Sequence, residues 1–513
     1  TTVITYNHTG QKIAMRDPDM GLWSYTYDLA GNLRTQTDNR ACVTTFGYDN
    51  LNRLTSKDYD NRPVCPGTVD VIYTYVPQGT HGAGQRSTMW DGTGHTTWHY
   101  NEQGALEQEV RAISATTGIA ATVYTTTFDY DEVGRPNKII YPNGEVVTQT
   151  YDAVRSAQVT LLQSQEASYG QPNYALDFTH DVEGRLTHFR SGNNVETTYT
   201  YYPWSSSQGG RLQTLVTASG STLLQNFAYG YDVVGNLTSL TDYLNNNEVL
   251  QFTYDALDRL DSVATIAGTQ AYSVNVDYQY DRFGNLLQGE SGTLQYGPGN
   301  PGGCQNYFGQ PHAVSVLTTT VALPQAYDCN GNMTSRVDPT GSYTQTWDQE
   351  NRLTSVTKAG SGTTTFLYDG NGQRVIQSRP DGSRTIYVNK YYEEECPRLL
   401  PPIITGPGAS IPAGAHTITW EDAFAEQSYE LTVDDLSSSS DLTTTLSANA
   451  TSYGYTFLAN RSYRIGLRSR SDCFGYSAVY STTVSVTTAV STNTPTPTAT
   501  RTATPTATTT GGS

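Results

Sequence analysis

His95 and His99 are spaced four residues apart, and on a strand the two imidazoles would lie on one face, where they could bind zinc. No carboxylate or cysteine stands beside them at ligand spacing, so we interpret the pair as surface or packing histidines. The cluster from Asp369 to Gly372 offers the oxygen atoms that calcium prefers. Because similar clusters recur along the chain, a structural turn explains it better than a calcium loop. We therefore predict no metal site and no cofactor.

Catalytic signatures do not occur in the sequence. G-x-S-x-G, H-E-x-x-H, Walker and dinucleotide-binding fingerprints are all missing. A glycosidase needs two carboxylates about 5 to 10 Å apart across a sugar cleft, and the sequence singles out no such pair. We interpret the glutamate run at 393–395 as a solvated hinge rather than a catalytic pair. The sequence thus predicts no catalytic residue and no enzyme.

The six cysteines suit disulfide bonds in an oxidising compartment, because their number is even and no C-x2-C zinc spacing occurs. The alternative is a set of unpaired structural thiols. In chain order the candidate pairs are Cys42 with Cys65, Cys304 with Cys329, and Cys396 with Cys473.

Glycosylation is a second candidate modification. Asn-x-Ser/Thr triplets begin at Asn7, Asn236, Asn332, Asn449 and Asn460. Two of these asparagines belong to a repeated motif, where composition alone explains them. The better candidates lie in polar turns and in the Thr-rich tail, where hydroxyls are O-glycan acceptors: Asn449, Asn460, Thr496 and Thr498.

Composition and charge narrow the class of protein. Hydrophobic residues make up only 36% of the 513 residues, while Tyr occurs 38 times and Gly 46 times, which is typical of β-rich proteins. The net charge of -18 disfavours nucleic acid as a partner. No apolar run reaches the ~18 residues of a membrane span. The chain opens at Thr1 without a methionine or an apolar leader, so we expect a mature or excised fragment.

One seven-residue motif recurs eleven times and dominates the first three quarters of the chain. Each copy has an aromatic residue or His, usually an Asp, two variable residues, a Gly, Asn or Asp, then two further residues. The copies are YDLAGNL from Tyr27, YDNLNRL from Tyr48, YNEQGAL from Tyr100, YDEVGRP from Tyr130, HDVEGRL from His180, YDVVGNL from Tyr231, YDALDRL from Tyr254, YDRFGNL from Tyr280, YDCNGNM from Tyr327, WDQENRL from Trp347 and YDGNGQR from Tyr368.

Each motif predicts the turn of a β-hairpin. The Asp carboxylate can accept hydrogen bonds from the following amides, and the fifth position requires a left-handed backbone. Asn52, Asp258 and Asn351 replace Gly there, and these residue types tolerate that conformation. The predicted turn-defining residues are Asp28, Gly31, Asp131, Gly134, Asp181, Gly184, Asp232, Gly235, Asp281, Gly284, Asp328, Gly331, Asp369 and Gly372.

A second type of turn lies between many motifs, as in YPNG at 141–144 and DPTG at 338–341. Two turns and two strands fit the common spacing of the motifs, and the longer gaps are interpreted as degenerate repeats with longer loops. A single hairpin is marginal in water, so neighbouring hairpins must pair edge to edge into one long sheet. Strand twist would coil this sheet into a spiral, with unpaired edge strands at Thr1 and near Tyr391.

The repeats resemble the tyrosine–aspartate (YD) repeats of Rhs proteins, teneurins and the large subunits of insecticidal toxin complexes. The resemblance covers about residues 1–392 and includes the segments GQPHAV and WDQENRLTSVTK. It implies a spiralling sheet that wraps into a hollow shell or barrel-like body, which in bacterial members often encloses a toxic C-terminal polypeptide. The sequence departs from the family at Cys396, where such proteins usually continue into a core segment that ends in an acidic autocleavage site.

Residues 396–489 change character to short alternating strands, such as SYELTV and SYRIGLRSR, which predict an antiparallel sandwich. Trp420, Tyr429, Leu458 and Tyr463 are placed as in a fibronectin type III module, and an Ig-like domain of another topology is the alternative. From 490 the chain alternates Pro and Thr, which favours a disordered or extended stalk.

The sequence therefore predicts an all-β chain. Residues 1–395 form a spiralling antiparallel sheet of YD-repeat hairpins, 396–489 a β-sandwich, and 490–513 the tail. The predicted function is that of a non-catalytic structural scaffold or shell, secreted or at the cell surface. Alternatives are an adhesin for a glycan or a partner cell surface, a self-assembling extracellular fibre subunit, and the encapsulating part of a polymorphic toxin.

Overall fold

The computed structural model describes residues 1–117, 121–152, 158–164, 173–268, 275–297, 304, 309–397, 402–422, 428–438, 441–471, 475–476 and 480–487. Within these ranges the chain is all β, apart from one 3-10 turn at Ala115–Thr117. No helix among them has the length and apolar character needed to cross a membrane. The predicted fold class is confirmed, while the Thr/Pro tail lies outside the described residues.

The first sheet has 23 strands, and strands adjacent in the chain pair antiparallel. These strands are β1 Val3–Tyr6, β2 Lys12–Asp17, β3 Gly21–Tyr27, β4 Leu33–Thr37, β5 Val43–Tyr48, β6 Leu54–Tyr59, β7 Val71–Tyr75, β8 Arg86–Asp91, β9 Gly94–Tyr100, β10 Leu106–Ile113, β11 Thr122–Tyr130, β12 Pro136–Ile140, β13 Val146–Tyr151, β14 Val159–Ser164, β15 Asn173–His180, β16 Leu186–Ser191, β17 Val195–Tyr201, β18 Leu212–Ser219, β19 Thr222–Tyr231, β20 Leu237–Asp242, β21 Glu248–Tyr254, β22 Leu260–Ala267 and β23 Asn275–Asp277.

The second sheet has 12 strands and continues the same meander. Its strands are β24 Gln279–Tyr280, β25 Leu286–Gly289, β26 Gly292–Tyr296, β27 Val314–Thr318, β28 Ala322–Tyr327, β29 Met333–Asp338, β30 Gly341–Trp347, β31 Leu353–Lys358, β32 Gly362–Tyr368, β33 Arg374–Ser378, β34 Arg384–Asn389 and β35 Tyr392–Cys396.

The remaining strands form a two-sheet sandwich. They are β36 Ile403–Gly406, β37 Ser410–Pro412, β38 Gly414–Glu421, β39 Ser428–Asp435, β40 Asp441–Ser447, β41 Ser452–Phe457, β42 Arg461–Ser471, β43 Gly475–Tyr476 and β44 Tyr480–Thr487. One sheet runs β36-β38-β41 and the other β37-β44-β42-β39-β40, with β43 on β42. The core between them includes Trp420, Tyr429 and Phe457. The Tyr463 hydroxyl accepts a hydrogen bond from the Leu458 amide at 3.1 Å, as a tyrosine corner does.

Contacts divide the chain into two compact units. The first unit comprises 1–89, 96–110 and 125–360, and the second comprises 90–95, 111–124 and 361–513. The second unit holds the sandwich core and a separate cluster that includes Ile113, Val375, Ile376 and Ile386. Among the described residues of the first unit, a buried apolar cluster lies around Tyr73 and Met89.

The motif turns close as their sequence predicts. In the first copy the Asp28 carboxylate accepts hydrogen bonds from the Ala30 and Asn32 amides at 2.9 and 2.8 Å. Gly31 has φ +90°, and the strand register shifts beside Tyr27. The substitutes for Gly have φ values of 56–60°, in the left-handed region where the sequence placed them: Asn52, Asp258 and Asn351. The fifth motif position is therefore set by backbone conformation.

A hydrogen bond between successive hairpins explains the aromatic residue of the motif. The aromatic residue ends a strand, and its Tyr hydroxyl or Trp indole N–H donates a hydrogen bond to the preceding hairpin. The acceptor is the backbone carbonyl of the residue that begins the returning strand of that hairpin. We call this bond the latch. The latches are Tyr27 to Lys12, Tyr75 to Leu54, Tyr100 to Arg86, Tyr130 to Leu106, Tyr151 to Pro136, Tyr201 to Leu186, Tyr254 to Leu237, Tyr280 to Leu260, Tyr296 to Leu286 and Trp347 to Met333, at 2.6–3.0 Å.

The longer gaps between motifs also contain hairpins of this kind, since Tyr75, Tyr201 and Tyr296 make latches there. In the loop after Tyr75, the Val76 amide donates to the Gln85 carbonyl at 2.8 Å and closes the hairpin. These gaps are therefore repeats with longer loops, as the sequence indicated.

The sixth motif residue provides a second link between hairpins. Where it is Arg, as at Arg259, the guanidinium pairs with the motif carboxylate of Asp255 at 2.6 Å and lies over the next motif ring, Tyr280, at 4.5 Å. Where it is Asn, as at Asn32, the amide donates to its own Asp28 and to Asn52 of the next turn, both at 2.9 Å. Either residue type joins one motif turn to the next.

The predicted hinge at 393–395 is wrong. The three glutamates lie in strand β35, which pairs with β34. Glu395 accepts hydrogen bonds from Thr385 at 2.8 Å and Arg379 at 3.2 Å. A strand tolerates this run because alternate side chains point to opposite faces and a neighbouring strand supplies the donors.

We predict that removing one latch hydroxyl destabilises the first unit. Tyr254→Phe leaves the ring in place but leaves the Leu237 carbonyl without its donor, which should cost about 1 kcal/mol of unfolding free energy. Tyr199→Phe is the control, because within the described residues the Tyr199 hydroxyl makes no hydrogen bond. Urea unfolding followed by tyrosine fluorescence measures both; equal losses in the two variants would contradict the latch.

We predict that the motif turns make stability depend on pH in the acid range. Hydrogen bonds from the Arg259 side chain and backbone hold the pKa of Asp255 below its ordinary value of 3.8. The stability that this carboxylate contributes is therefore present above the unfolded pKa and is lost as the pH falls through the lower folded pKa. Asp255→Asn should flatten the pH dependence of the urea midpoint below about pH 4. Glu132→Gln, at an exposed turn residue, should leave that curve unchanged.

Candidate functional site

The later hairpins of the first unit return to its first hairpins along a line of polar contacts, which we call the seam. On one side lie the turns between motifs at 17–20, 38–42 and 60–68. On the other side lie 310–312 and the motif turns at 328–332 and 348–352. Hydrogen-bonded partners across the seam are 281 to 311 residues apart in the chain. The sheet therefore completes one coil in about that number of residues.

The centre of the seam is a buried network around Asp38. The Asn330 side chain donates to Asp38 at 2.7 Å and accepts from the Asn39 amide at 3.1 Å. Arg40 pairs with Asp38 at 2.7 Å and donates to the Asp348 carbonyl at 3.2 Å. Asp38 and Asn330 are only 6% and 3% exposed. Buried polar groups need their partners, so this network fixes which turns can meet.

Gln349 anchors the neighbouring turn. Its side-chain amide donates to the carbonyls of Asp60 and Pro66 at 2.6 and 2.9 Å. Its backbone amide donates to the Thr68 hydroxyl at 3.1 Å. The disulfide between Cys42 and Cys65 joins this turn to the Asp38 turn, which receives the contacts of Asn330. Covalent and polar constraints thus hold the same part of the seam.

Glu350 is the charged contact of the seam. Its carboxylate accepts from Lys57 Nζ at 2.7 Å and from the Tyr59 hydroxyl. Burial opposes the charged form, but the hydrogen bonds from Lys57 and Tyr59 outweigh it and hold the pKa of Glu350 below its ordinary value. Burial and the bond to Glu350 raise the pKa of Tyr59. The group is a charged clamp between residues that are 293 positions apart.

A further contact joins the Asp19 turn to the segment at 310–312. The Asp19 carboxylate accepts from the His312 amide at 3.0 Å and lies 2.5 Å from His312 Nδ1. Gln310, which is 2% exposed, donates to the carbonyls of Asp328 and Asp19 at 2.8 and 3.3 Å. Side-chain amides therefore cap backbone carbonyls at this point, as Gln349 does at the next turn.

The second unit contains a similar polar cluster. The Gly370 amide donates to Asp91 at 3.1 Å, and the Arg111 guanidinium lies 3.5 Å from Asp369 and 3.2 Å from Thr93 Oγ1. Burial raises the pKa of Asp369, the nearby Asp91 carboxylate acts in the same direction, and Arg111 opposes both. The cluster again joins a motif turn to a turn from early in the chain.

Within the described residues, no three His, Cys, Asp or Glu side chains converge where they could hold a metal ion. His95 stacks on Trp90 with ring centroids 4.3 Å apart, so it has a packing partner. The Asp369 carboxylate accepts from the Asn371 and Gln373 amides at 2.9 and 2.8 Å, which are turn contacts.

The predicted modification sites fall partly within the structure. Disulfides join Cys42 to Cys65 and Cys304 to Cys329. Cys396 is also disulfide-bonded, but its expected partner Cys473 lies outside the described residues. The two candidate asparagines are exposed, with φ of 59° in each case: Asn449 and Asn460. Thr496 and Thr498 lie outside the described residues.

The other predicted turn residues behave like the first copy. Motif carboxylates accept from the amide four residues on at 2.8–2.9 Å and the fifth-position glycines have φ of 83–111°, in the turns that begin at Asp131, Asp181, Asp232, Asp281, Asp328 and Asp369. The seam residues were not predicted. No local pattern pairs Asp38 with Asn330. The latch has a signature in the sequence: the first motif position is Tyr, Trp or His in all eleven copies and never Phe, so a ring with a polar hydrogen-bonding group is always present.

Comparison with known proteins gives one match to a family of repeats and several matches to individual proteins. A profile of the family described as RHS Repeat matches residues 327–363 and 347–384. The chain is 24% identical over 221 residues to the double-stranded DNA deaminase toxin A of Burkholderia cenocepacia, covering 33% of this chain and 15% of that protein. It is 32% identical over 134 residues to the tRNA nuclease WapA of Bacillus subtilis, covering 23% of this chain and 5% of that protein.

Among solved structures, the Photorhabdus luminescens Tc holotoxin pore matches with a TM-score of 0.59 and 18% identity. The match covers 82% of this chain and 22% of that chain. This chain therefore spans only a small part of the proteins that it matches, and the structural likeness concerns the fold. With these matches, the chain contains Rhs repeats at 327–384, and motif hairpins of the same kind recur through its antiparallel sheets.

Proposed function

We propose that this chain is a wall segment of a YD-repeat shell, with a structural and non-catalytic role. The observation that carries the proposal is the seam, where turns about one coil apart meet through buried polar contacts. A wall made of separate hairpins would open at every coil, because each hairpin alone is marginal. Contacts between coils make the sheet a continuous surface.

The chemistry of the contacts supports a fixed wall rather than a binding cleft. Latches, carboxylate turns and seam amides use their polar groups on other parts of the same chain. The side-chain amide of Asn330, for example, donates hydrogen bonds to Asp38 and Asn351. Buried networks of this kind specify one arrangement and leave few groups for a substrate.

The matched proteins favour enclosure as the purpose of the wall. Two relatives are named as toxins or nucleases acting on nucleic acid, and the structural neighbour is named as a toxin pore. We propose that this chain is the enclosing part of a polymorphic toxin and that any toxic activity resides elsewhere in such a protein. We further propose a secreted or cell-surface location, which the disulfides favour.

The domain division at 1–395, 396–489 and 490–513 remains part of this proposal, as does the fibronectin type III identity of the sandwich. The alternation of its strands between two sheets and the Tyr463 corner support that identity. An adhesin for a glycan or a partner cell remains a prediction from the sequence that no specific contact favours.

We predict that weakening the charged clamp opens the seam. Glu350→Gln removes the charge that Lys57 meets across the seam and should cost about 2 kcal/mol of unfolding free energy. Limited proteolysis should then cut more quickly within 38–68 and 328–352. Glu183→Gln is a matched control, because Glu183 has the same motif position and its Arg185 lies 3.4 Å away, as Arg352 does from Glu350. Similar protease sensitivity in both variants would contradict a clamp.

The structural role also predicts the outcome of an activity assay. Purified chain incubated with double-stranded DNA and with tRNA should yield no deaminated or cleaved product above buffer controls. Turnover that is lost in Glu350→Gln or Asp369→Asn, at a partly buried and a buried carboxylate of the polar clusters described above, would overturn the structural proposal. Folding of each variant is checked by circular dichroism.

A further inference from the structure

The two variable positions of the motif form the tip of each motif turn, and most tips fall into two groups. The tip at Glu102 and Gln103 belongs to neither, because it is polar and exposed. In the first group the tip meets another turn and carries a buried polar residue, as at Asn330 and Gln349, each 3% exposed. Other tips carry large apolar residues that are 59% to 109% exposed: Leu29, Leu51, Val133, Val182, Val233, Val234, Leu257 and Phe283. All of the second group lie in the first unit.

These exposed tips form a row along one edge of the sheet. Neighbouring motif turns contact one another directly, since Asn236 donates to Asp258 at 3.0 Å and Arg259 donates to the Asp281 carbonyl at 3.5 Å. Successive hairpins lie two strands apart in the sheet, so their motif turns are about 10 Å from each other. Single exposed apolar residues are ordinary, but a recurrent one at the same place in successive repeats indicates a contact surface.

The opposite edge of the first unit also presents apolar residues. The turn between β20 and β21 exposes Tyr243 and Leu244 at 48% and 46%, and the turn before β28 exposes Val321 at 59%. These turns are of the same kind, between motifs, as the turns at 17–20, 38–42 and 60–68 that dock on motif tips within the seam. Each chain therefore exposes both kinds of turn that meet in the seam: motif tips at one edge and turns between motifs at the other.

We propose that a second copy of this chain docks head to tail, with its turns between motifs seated on the exposed motif tips of the first. The occupant is argued from continuity with the seam, where the same two kinds of turn meet. The contact is heterologous, because different surfaces of the two copies meet, so it adds further copies into an open chain or a ring rather than closing as a two-fold dimer. The inference rests on the repeat geometry and does not require the proposed enclosing role.

The chemistry of the two contacts differs. The internal seam uses Asp, Asn, Gln and Arg side chains, whereas the contact between copies is apolar. Each copy carries a net charge of -18, so copies repel one another at long range. Screening by salt weakens this repulsion and leaves apolar burial intact. Association should therefore strengthen with ionic strength, opposite to a contact held by ion pairs.

Sedimentation velocity of the whole chain, from about 1 to 100 µM and from about 0.05 to 0.5 M salt, tests the proposal. The wild type should show mass that rises steadily with concentration and more steeply at high salt. A tip variant, Val182→Ser with Val233→Ser and Leu257→Ser, should need at least about tenfold more protein to associate. These side chains are exposed, so folding should be unaffected.

A complementary variant sharpens the test. The edge variant Leu244→Ser with Val321→Ser should, when alone, likewise need at least about tenfold more protein to associate. A mixture of the tip variant and the edge variant keeps one working contact and should form a pair of one copy each that grows no further. Monomers of wild type under every condition, or a mixture that stays monomeric while wild type associates, would overturn the proposal.

The exposed end strand β1 offers a different route to association, by strand addition. The Asn7 amide donates to Gln11 within the hairpin, so by alternation the Ile4 amide faces the open edge, and Ile4→Pro removes that donor. Wild-type association should persist in Ile4→Pro. Loss of association in this variant, with the tip variant still associating, would assign the contact to the end strand and contradict the tip-to-turn arrangement.

Discussion

The hydrogen bond from a motif ring to the first carbonyl of the preceding returning strand is the interaction on which the remaining structure depends. Tyr254, for instance, sits where the register shifts and reaches back to Leu237. A carbonyl next to such a shift has no regular partner within the ladder, so the hydroxyl satisfies it. The same bond sets the distance and angle of each hairpin against the last, and its repetition carries the sheet around its coil.

The coil in turn depends on contacts that are specific rather than strongly hydrophobic. In the part of the first unit that the structure describes, a small apolar cluster lies around Tyr73 and Met89, while the seam is polar. Buried polar networks are costly when incomplete, so a shifted alignment of the seam would separate the buried Asn330 side chain from its partners Asp38 and Asn39. In this way the protein specifies one alignment of coils without a large core. The sandwich of the second unit is instead held by a hydrophobic core, in which Tyr429, Leu431 and Ile465 are fully buried.

Local features were predictable from the sequence because local rules determine them. The turn at Asp28 to Asn32 follows from the hydrogen-bonding reach of Asp and the backbone freedom of Gly31. The all-β class, the hairpins in the longer gaps and the sandwich strands followed from alternation and spacing. Cys42 and Cys65 pair in chain order because their turns belong to adjacent hairpins.

Contacts between distant repeats were not predictable. Asn39 and Cys329 lie 290 residues apart, and neither has a local pattern that names the other. The glutamate run at 393–395 misled for a related reason, since the donors to Glu395 are Thr385 of the neighbouring strand β34 and Arg379 of the turn before it. The variable motif positions did hold a partial signal: the covered tips at Asn330 and Gln349 are polar, and most exposed tips carry a large apolar residue, although the tip at Glu102 and Gln103 is both polar and exposed.

Turns one coil apart meet at the seam. Zero-length carbodiimide cross-linking of the whole chain tests this contact most directly. Lys57 and Glu350 are 2.7 Å apart across the seam, and Lys138 with Asp129 forms a local pair as the internal control. Mass spectrometry should find a peptide joined through Lys57 and Glu350 at monomer concentration. Recovery of the Lys138–Asp129 cross-link without any Lys57–Glu350 cross-link would contradict the seam.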